Sequence, residues 1–274
     1  MYEDRPCVHG RRTARRQYAI ICSAMDDLKI VVAAHKPYSM PDDAAYLPLQ
    51  VGAAGKPSIG YARDDSGDNI SARNANWCEL TGLYWAWRNV EADAVGLVHY
   101  RRHFRGADGI ASGGEIRAAL AQFDVVLPRK RNYFIETTYS HYAHAHHAED
   151  LDVTRQILAE RHAECLSPFD AAMRSTKGHR FNMMVMRRNA FDAYCAWLFD
   201  VLFELEGRLD ISSYSPYDAR VFGFVAERLL DVWLGANVER MGLRVTEMPV
   251  LHLESQHWPK KALAFLRRKF AGKK

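Results

Sequence analysis

The chain has 274 residues, of which 48% are hydrophobic and 26% are charged, and its formal net charge at pH 7 is +4. This composition supports a folded core and excludes an intrinsically disordered chain. The charge is too weakly basic to indicate a nucleic-acid-binding protein. No apolar run approaches the length of about 20 residues that a membrane span needs.

The cysteines indicate a reducing compartment. The five are scattered along the chain, are odd in number and form no CxxC pair. This pattern argues against a disulfide framework and against a zinc site. We therefore expect a cytoplasmic protein.

Strand-like and helix-like patterns alternate after the first two dozen residues. Residues 1–27 carry clustered arginines without periodicity, and we predict a flexible N-terminal arm there. The predicted strands are residues 29–34, 94–99, 124–127, 181–186 and 243–248. The predicted helices are residues 79–89, 149–162, 189–205 and 219–238. The alternation predicts an α/β fold, with a mostly parallel sheet flanked by helices in a single domain over residues 28–258.

Residues 259–274 form a basic segment with apolar residues at helical spacing, namely Leu263, Leu266 and Phe270. A short basic amphipathic helix of this kind binds the headgroup region of anionic membranes. The alternative, which we weigh equally, is a solvated tail that packs its leucines on the domain.

Cations cluster where the second predicted strand ends. His99, Arg101 and Arg102 follow an apolar run, at the strand end where open α/β sheets bind ligands. Adjacent guanidinium groups suit bidentate contacts to phosphate. The pattern predicts a site for an anionic ligand; the alternative is a pair of surface arginines in ion pairs.

Residues 64–71 are rich in carboxylates and turn formers, among them Asp68, Asn69 and Ser71. Such residues favour turns and caps, and they also suit a loop that binds ribose or sugar hydroxyls. Glu79 follows within an aromatic-rich segment. An unpaired carboxylate there would be costly, so we expect Glu79 to have a specific partner.

Histidines cluster at residues 141–147, with carboxylates directly behind. On one helix His144, His147 and Asp150 would share a face, a spacing that suits either a divalent metal or a polar groove that binds substrate. We favour the groove, because no HExxH or cysteine pattern supports the metal. The sequence also lacks a GxSxG elbow, a Walker loop and a GxGxxG segment after the first strand, which disfavours hydrolases, kinases and dehydrogenases.

Several long motifs occur in order: DNIS at 68–71, NWCELTGLYWAW at 76–87, GLVHYRR at 96–102, FNMM at 181–184, YCAWLF at 194–199 and RVFGFVAER at 220–228. Together they resemble the bacterial polysaccharide-synthesis family catalogued as domain of unknown function 4422, over about residues 29–250. The resemblance implies a GT-A-like, Rossmann-like glycosyltransferase. It would move a sugar from a nucleotide-sugar donor, UDP-hexose or UDP-galactofuranose, to a glycan or lipid-linked acceptor in capsule, exopolysaccharide or O-antigen assembly. The alternative is a catalytically inactive GT-A-like module that binds glycans or acts as a scaffold.

The residue chemistry and the resemblance together give candidate roles to particular residues. The donor-binding candidates are His35, Lys36, Tyr38, Asp68, Asn69, Ser71, Asn74, Glu79, His99, Arg101 and Arg102. The acceptor-binding candidates are His144, His147, Asn182 and Arg220. Glu227 is the candidate catalytic base, and Asp150 and Glu79 are the runners-up. The alternative for Glu227 is an ion pair with Arg228 or Arg220.

The position of the GT-A DxD motif is taken by His99, Tyr100 and Arg101. This departure puts a requirement for Mn²⁺ or Mg²⁺ in doubt, and we assign no residue to a metal. Fixed cations would neutralise the donor diphosphate directly. The expected partners are the nucleotide-sugar donor, the acceptor and the anionic inner face of the cytoplasmic membrane, without nucleic acid.

Overall fold

The computed structural model describes residues 27–254. Residues 1–26 of the predicted arm and the basic segment 259–274 lie outside the described residues.

The strands of the described part are short except at the centre of the main sheet. They are β1 (Leu28–Ala34), β2 (Tyr46–Gln50), β3 (Ala62–Arg63), β4 (Ala94–His99), β5 (Arg102–Gly106), β6 (Gly109–Ile110), β7 (Val125–Pro128), β8 (Arg131–Asn132), β9 (Lys177–Gly178), β10 (Met184–Arg187), β11 (Val245–Met248) and β12 (Val250–His252).

The α-helices flank this sheet. They are α1 (Asn74–Trp77), α2 (Leu80–Asn89), α3 (Gly113–Leu120), α4 (Thr138–Ala145), α5 (Glu149–Arg161), α6 (Leu166–Arg174), α7 (Arg188–Arg208) and α8 (Val221–Met241). No helix within residues 27–254 is long and apolar enough to cross a membrane.

The main sheet has the strand order β11-β7-β10-β4-β1-β2-β3. Along this order neighbouring strands are parallel, except that β10 runs antiparallel to both β4 and β7. Beside this order, β5 pairs antiparallel with β4, β6 and β12. The prediction of a single α/β domain with a mostly parallel, helix-flanked sheet is confirmed. β1 and β4 are almost wholly buried, as apolar strands at the centre of a doubly covered sheet must be.

Alternation along β1 divides the core into two layers. Val31 and Ala33 belong to the larger layer with α2, α7 and α8, whereas Ile30 and Val32 belong to the smaller layer with α3. Successive strand residues point to opposite faces, so one apolar strand supplies both layers. Trp77 lies in the larger layer, fully buried against aromatic rings from α7 and α8.

The antiparallel strand β10 determines which residues reach the ligand edge. Met184 pairs with Leu97 and Arg187 with Ala94, so the chain just before β10 lies where β4 ends. Phe181 and the residues around it therefore stand at the carboxyl edge of β1 and β4, the edge at which open α/β sheets bind ligands.

The helix over which the histidine cluster and the following carboxylates would share a face is not formed. His144, His147 and Asp150 do not share a helix, because α4 ends at Ala145 and α5 begins at Glu149. His146 leaves the helical region with φ −138° and ψ −162°, which breaks the assumed periodicity. α8 begins at Val221, two residues after the predicted start, and Glu227 lies in its second turn.

Candidate functional site

A cleft of about 790 Å³ opens at the carboxyl ends of β1 and β4. Its walls come from those strand ends, the loop before β10, the starts of α2 and α8, and the segment from β8 to the end of α4. The side chains that carry polar chemistry in it include His35, Asn74, Glu79, His99, Arg101, Arg102, Arg131, Glu136, His141, His144, His146, Arg180, Arg220, Glu227 and Arg228.

Arginines outnumber carboxylates in this lining. The six arginines are Arg101, Arg102, Arg131, Arg180, Arg220 and Arg228, against Glu79, Glu136 and Glu227. An excess of cations in a cleft with apolar walls raises the local concentration of anions. The arrangement therefore suits a ligand that carries phosphate.

The Arg102 side chain lines the cleft and makes no hydrogen bond or ion pair among residues 27–254. Its guanidinium lies 4.6 Å from the ring centroid of Phe181, and its Nε is buried without a hydrogen-bond partner among residues 27–254. Burial, and secondly the charge of Arg101, lower the pKa of Arg102 below its usual value. Arg101 instead pairs with Glu254, at 3.1 Å.

Arg220 stands at the opposite wall, before α8. Its Nε donates to Cys78 Sγ at 3.1 Å, and its guanidinium lies over the rings of Tyr217 and Phe224. No carboxylate of the described residues lies within ion-pair distance of it. Arg102 and Arg220 thus line the cleft without a carboxylate within ion-pair distance among the described residues.

Glu79 has a specific hydrogen-bond partner, as we expected for a carboxylate in an aromatic-rich segment. It precedes α2, and its Oε1 accepts a hydrogen bond of 2.7 Å from Asn182 Nδ2, which also donates to the Gly223 carbonyl at 3.1 Å. His99 Nε2 lies 2.5 Å from the Phe181 carbonyl and 4.0 Å from Glu79 Oε1. Burial lowers the pKa of His99, so its imidazole is neutral and donates through Nε2.

The backbone beneath this cluster is strained. Phe181 has φ 78° and Asn182 has φ 50°, and Cys78 on the facing wall has φ 53°. Non-glycine residues adopt this region at a cost of about 1–3 kcal/mol each, and they persist where neighbouring contacts hold them. Strain concentrated on two walls of one cleft is typical of a functional site.

A buried histidine anchors the chain that leads into this segment. His179 Nδ1 lies 2.6 Å from Asp231 Oδ1 on α8, and its Nε2 lies 3.1 Å from Glu247 Oε1 on β11. The adjacent Arg180 donates to the Tyr133 hydroxyl at 2.8 Å and to the Thr138 hydroxyl at 3.0 Å. These contacts hold the residues before β10 against both walls of the cleft.

Glu227 lines the cleft with a partly buried side chain. Its Oε2 accepts from Arg228 Nη1 at 3.0 Å, which is one of the two ion pairs weighed from the sequence. The other, with Arg220, is not formed. The other carboxylate oxygen of Glu227, Oε1, accepts no hydrogen bond from residues 27–254, and Glu227 is one of the residues that line the cleft.

Of the two runners-up for the base, Glu79 lines the cleft and Asp150 lies outside its lining. Asp150 is buried, and its oxygens accept hydrogen bonds of 2.7 Å from the hydroxyls of Tyr142 and Tyr214. Burial raises the pKa of this carboxyl. Both oxygens are occupied by the protein, so the geometry gives Asp150 a structural role in place of the predicted catalytic one.

The nucleotide candidates after β1 gather around the ring of Tyr100. The rings of His35 and Tyr38 meet it edge-on at 5.2 and 5.0 Å, and Lys36 Nζ lies 5.5 Å from its centroid. Tyr100 and His35 line the cleft. The structure thus brings these three candidates together at one end of it.

The predicted donor loop is not in the cleft. Asp68 accepts from Arg88 Nε at 2.6 Å and from the Tyr84 hydroxyl at 3.1 Å, on the outer face of α2. Asn69 caps its own turn, and Ser71 donates to the buried Asp64. These contacts match the alternative of turns and caps, because each polar group is used locally.

The remaining candidates divide between the cleft and its surroundings. Asn74 lines it, although its amide donates to the Cys78 carbonyl and to Thr81. His144 lines it and places Nδ1 2.7 Å from Glu136 Oε1. His147 does not line it and stacks on Tyr214 at 4.0 Å.

Sequence reasoning missed several cleft residues, notably Arg131, Glu136, Arg180 and Arg228. Arg180 directly precedes the FNMM motif and Arg228 is the last residue of the RVFGFVAER motif, so the motifs that carry the resemblance were a usable signal for both. Arg131 and Glu136 come from a segment without periodicity or motif, and only the tertiary structure brings it to the cleft.

A divalent metal does not fit the residues present. A GT-A fold implies such an ion at the end of β4, where His99, Tyr100 and Arg101 stand here. Between residues 27 and 254 no group of three or more His, Cys, Asp or Glu side chains could hold one. Oxygen ligands are what Mg²⁺ requires, and the guanidinium groups at this edge repel it.

Fold and site define a GT-A-like α/β protein with a cationic cleft. The chain belongs to the family described as Domain of unknown function (DUF4422), whose model matches residues 29–238. It is similar to the apo structure of WbbM, a bifunctional glycosyltransferase, with 29% identity and a TM-score of 0.78. The match covers 84% of this chain and 46% of WbbM, so the chain spans about half the length of that protein. No curated protein matches the chain.

Proposed function

We propose that the chain is a glycosyltransferase that moves a sugar from a nucleotide-sugar donor, UDP-hexose or UDP-galactofuranose, to a glycan or lipid-linked acceptor. The similarity to WbbM over 84% of the chain supports the transferase class. The observation that carries the proposal is the excess of arginines in a cleft at the carboxyl edge of the sheet. Diphosphate is the part of a nucleotide sugar that such cations bind.

The donor diphosphate would lie between Arg102 and Arg220. Both guanidinium groups face the cleft without a carboxylate partner, and the charge that develops on the leaving diphosphate needs fixed cations at hand. Arg101 acts at longer range, because Glu254 already neutralises it. The aromatic group around Tyr100 would take the nucleoside.

Glu227 would act as the base in an inverting transfer. The acceptor hydroxyl oxygen bonds to the anomeric carbon as the bond from that carbon to the diphosphate breaks. The hydroxyl proton passes to Glu227, and the nucleoside diphosphate leaves. The ion pair with Arg228 orients the carboxylate. No step is routed through a metal.

The test is a thermal-shift screen against nucleotides and nucleotide sugars, with manganese and with EDTA, followed by measurement of free nucleotide release. A transferase shifts in melting temperature with one nucleotide family and releases nucleotide when an acceptor is present. A shift without release would favour the inactive glycan-binding or scaffolding module.

The proposed function also indicates the process and the cellular location in which the protein would act. We propose synthesis of capsule, exopolysaccharide or O-antigen in the cytoplasm, at the inner face of the cytoplasmic membrane, where a lipid-linked acceptor would be presented. The basic segment 259–274 would contribute attraction to anionic lipid.

A further inference from the structure

The two most exposed large hydrophobic residues of the described part are neighbours in sequence. Phe134 is 80% exposed and Ile135 is 71% exposed, whereas Tyr217 and Leu253 follow at 54% and 37%. Single exposed apolar residues need no explanation, but two adjacent ones at the tip of one loop mark a contact surface. We call residues 133–136 the apolar tip.

The apolar tip is a fixed turn. The Phe134 amide donates to Asn132 Oδ1 at 2.8 Å, and the Ile135 amide donates to the Tyr133 carbonyl at 2.8 Å. At its base the Tyr133 hydroxyl accepts from the buried Arg180. Phe134 has φ 59°, a conformation that costs energy for an aromatic residue and persists because these bonds hold it. The turn thus presents both apolar side chains outward.

Exposed basic residues lead directly into the apolar tip. They are Arg129, Lys130 and Arg131. Lys130 lies 3.8 Å from Asp231, whereas Arg129 and Arg131 have no carboxylate within ion-pair distance among residues 27–254. Arg131 lies over the ring of Tyr133. Apolar side chains beside uncompensated cations are the combination that binds an anionic bilayer, since burial in the headgroup region and attraction to the lipid act together.

The apolar tip lies directly beside the cleft. Arg131, Tyr133 and Glu136 line the cleft, and Phe134 and Ile135 project from between the last two. We infer that the apolar tip inserts into the headgroup region of an anionic membrane and brings the mouth of the cleft to the bilayer. This inference rests on the proposed function for its purpose, because a lipid-linked acceptor would then meet the cleft at the membrane surface.

The experiment is co-sedimentation of the full chain with vesicles of phosphatidylcholine, with or without phosphatidylglycerol. The wild type binds the anionic vesicles and not the neutral ones. The double variant Phe134→Ser with Ile135→Ser lowers the partition coefficient by about tenfold or more, because two apolar side chains no longer enter the interface. Leu253→Ser, which changes an exposed hydrophobic residue elsewhere, keeps wild-type binding.

The contribution of the basic residues to membrane binding is tested with the same vesicles. Arg129→Gln weakens binding to anionic vesicles, and Arg174→Gln, an exposed arginine on α6, does not. Truncation after Pro259 removes the basic C-terminal segment and so isolates the contribution of the apolar tip. We expect the truncated chain to lose vesicle binding when Phe134 and Ile135 are replaced. Melting temperatures confirm that each variant is folded.

Unchanged vesicle binding in the double variant would overturn the inference. So would equal recovery of the wild type in the supernatant with both vesicles, or a concentration-dependent self-association in sedimentation velocity that the double variant abolishes. The thermal shift with donor nucleotide is measured in parallel. If donor nucleotide causes no thermal shift, the proposed function is contradicted and the inference about membrane binding is not. If the thermal shift occurs but the protein does not bind vesicles, the inference about membrane binding is contradicted and the proposed function is not.

Discussion

Asn182, the second of two consecutive residues with positive φ, donates from Nδ2 to Glu79 Oε1 across 2.7 Å. This bond joins the chain before β10 to the start of α2, two elements more than a hundred residues apart. Asparagine tolerates the left-handed region better than most residues, and it supplies the donor that Glu79 needs. One residue therefore satisfies both the strained backbone and the carboxylate.

Asn182→Asp should destabilise the protein. The variant replaces the donating amide by a carboxylate that faces Glu79, which leaves a buried polar contact unmade and adds repulsion. We expect the free energy of unfolding to fall by about 2–3 kcal/mol, measured by urea denaturation at pH 7. Asn69→Asp, in a partly exposed turn where the accepting oxygen is kept, is the control. Equal stability of both variants would contradict this account of the bond.

Arg102→Ala should weaken binding of the nucleotide-sugar donor by about 1.5–3 kcal/mol, the range for a hydrogen bond to a charged group. Arg101→Ala should have a smaller effect, because Glu254 already pairs with Arg101. Titration calorimetry with UDP measures both, and Arg105→Ala, an exposed arginine of β5 outside the cleft lining, is the control.

Donor binding should also persist in EDTA, and it should weaken as salt rises, because fixed surface cations are screened. Loss of activity in EDTA together with full activity of Arg102→Ala would instead indicate a site built around a metal.

Glu227→Gln should reduce turnover by about 100-fold or more while donor affinity changes little, since the variant keeps the shape and removes the proton acceptor. Product formation with saturating donor is the measurement. Glu239→Gln, an exposed position on the same helix, should behave as the wild type. Comparable turnover in Glu227→Gln would exclude Glu227 as the base.

Stability should fall as the pH drops below about 6.5. Burial lowers the pKa of His103 to about 4 and, together with smaller effects, that of His146 to about 4. Both are neutral in the folded protein, while the unfolded chain binds their protons near the ordinary value. Their contribution is complete above about 6.5 and is lost towards pH 4, by up to about 3 kcal/mol for each residue.

Urea denaturation at a series of pH values measures this dependence. His103→Gln removes one of the two groups, so the slope of unfolding free energy against pH should be smaller in that variant between pH 4 and 6.5. An identical slope in the variant and the wild type would show that His103 does not titrate in this way.

Periodicity predicted the central elements well. The runs at 29–34 and 94–99 are apolar at nearly every position, which predicts strands that are buried on both faces of a sheet. β1 and β4 lie at these positions and are almost wholly buried. β2 and β5 were missed. Their sequences, YLPLQ and RHFRG, contain a proline or charged residues, and they become strands because neighbouring backbone is available for pairing.

The site was only partly predictable. His99, Arg101 and Arg102 could be placed at a ligand edge from sequence, because a strand end fixes where the next side chains lie. The loop of Asp68 looked equally suited to a ligand, yet its groups are used by Arg88 and Tyr84 from α2. Local composition does not reveal whether a polar side chain already has a partner.

The sequence by itself determined the alternation of strands and helices, the family motifs and the cationic end of β4, because each depends on residues close together in the chain. The tertiary structure alone decided that β10 runs antiparallel beside β4, which brings Asn182 to Glu79 and Phe181 to Arg102. It also decided that residues 131–146 close one side of the cleft and expose Phe134 and Ile135 at its rim. Contacts between residues so far apart in the chain depend on how whole elements pack, and no short pattern encodes that packing.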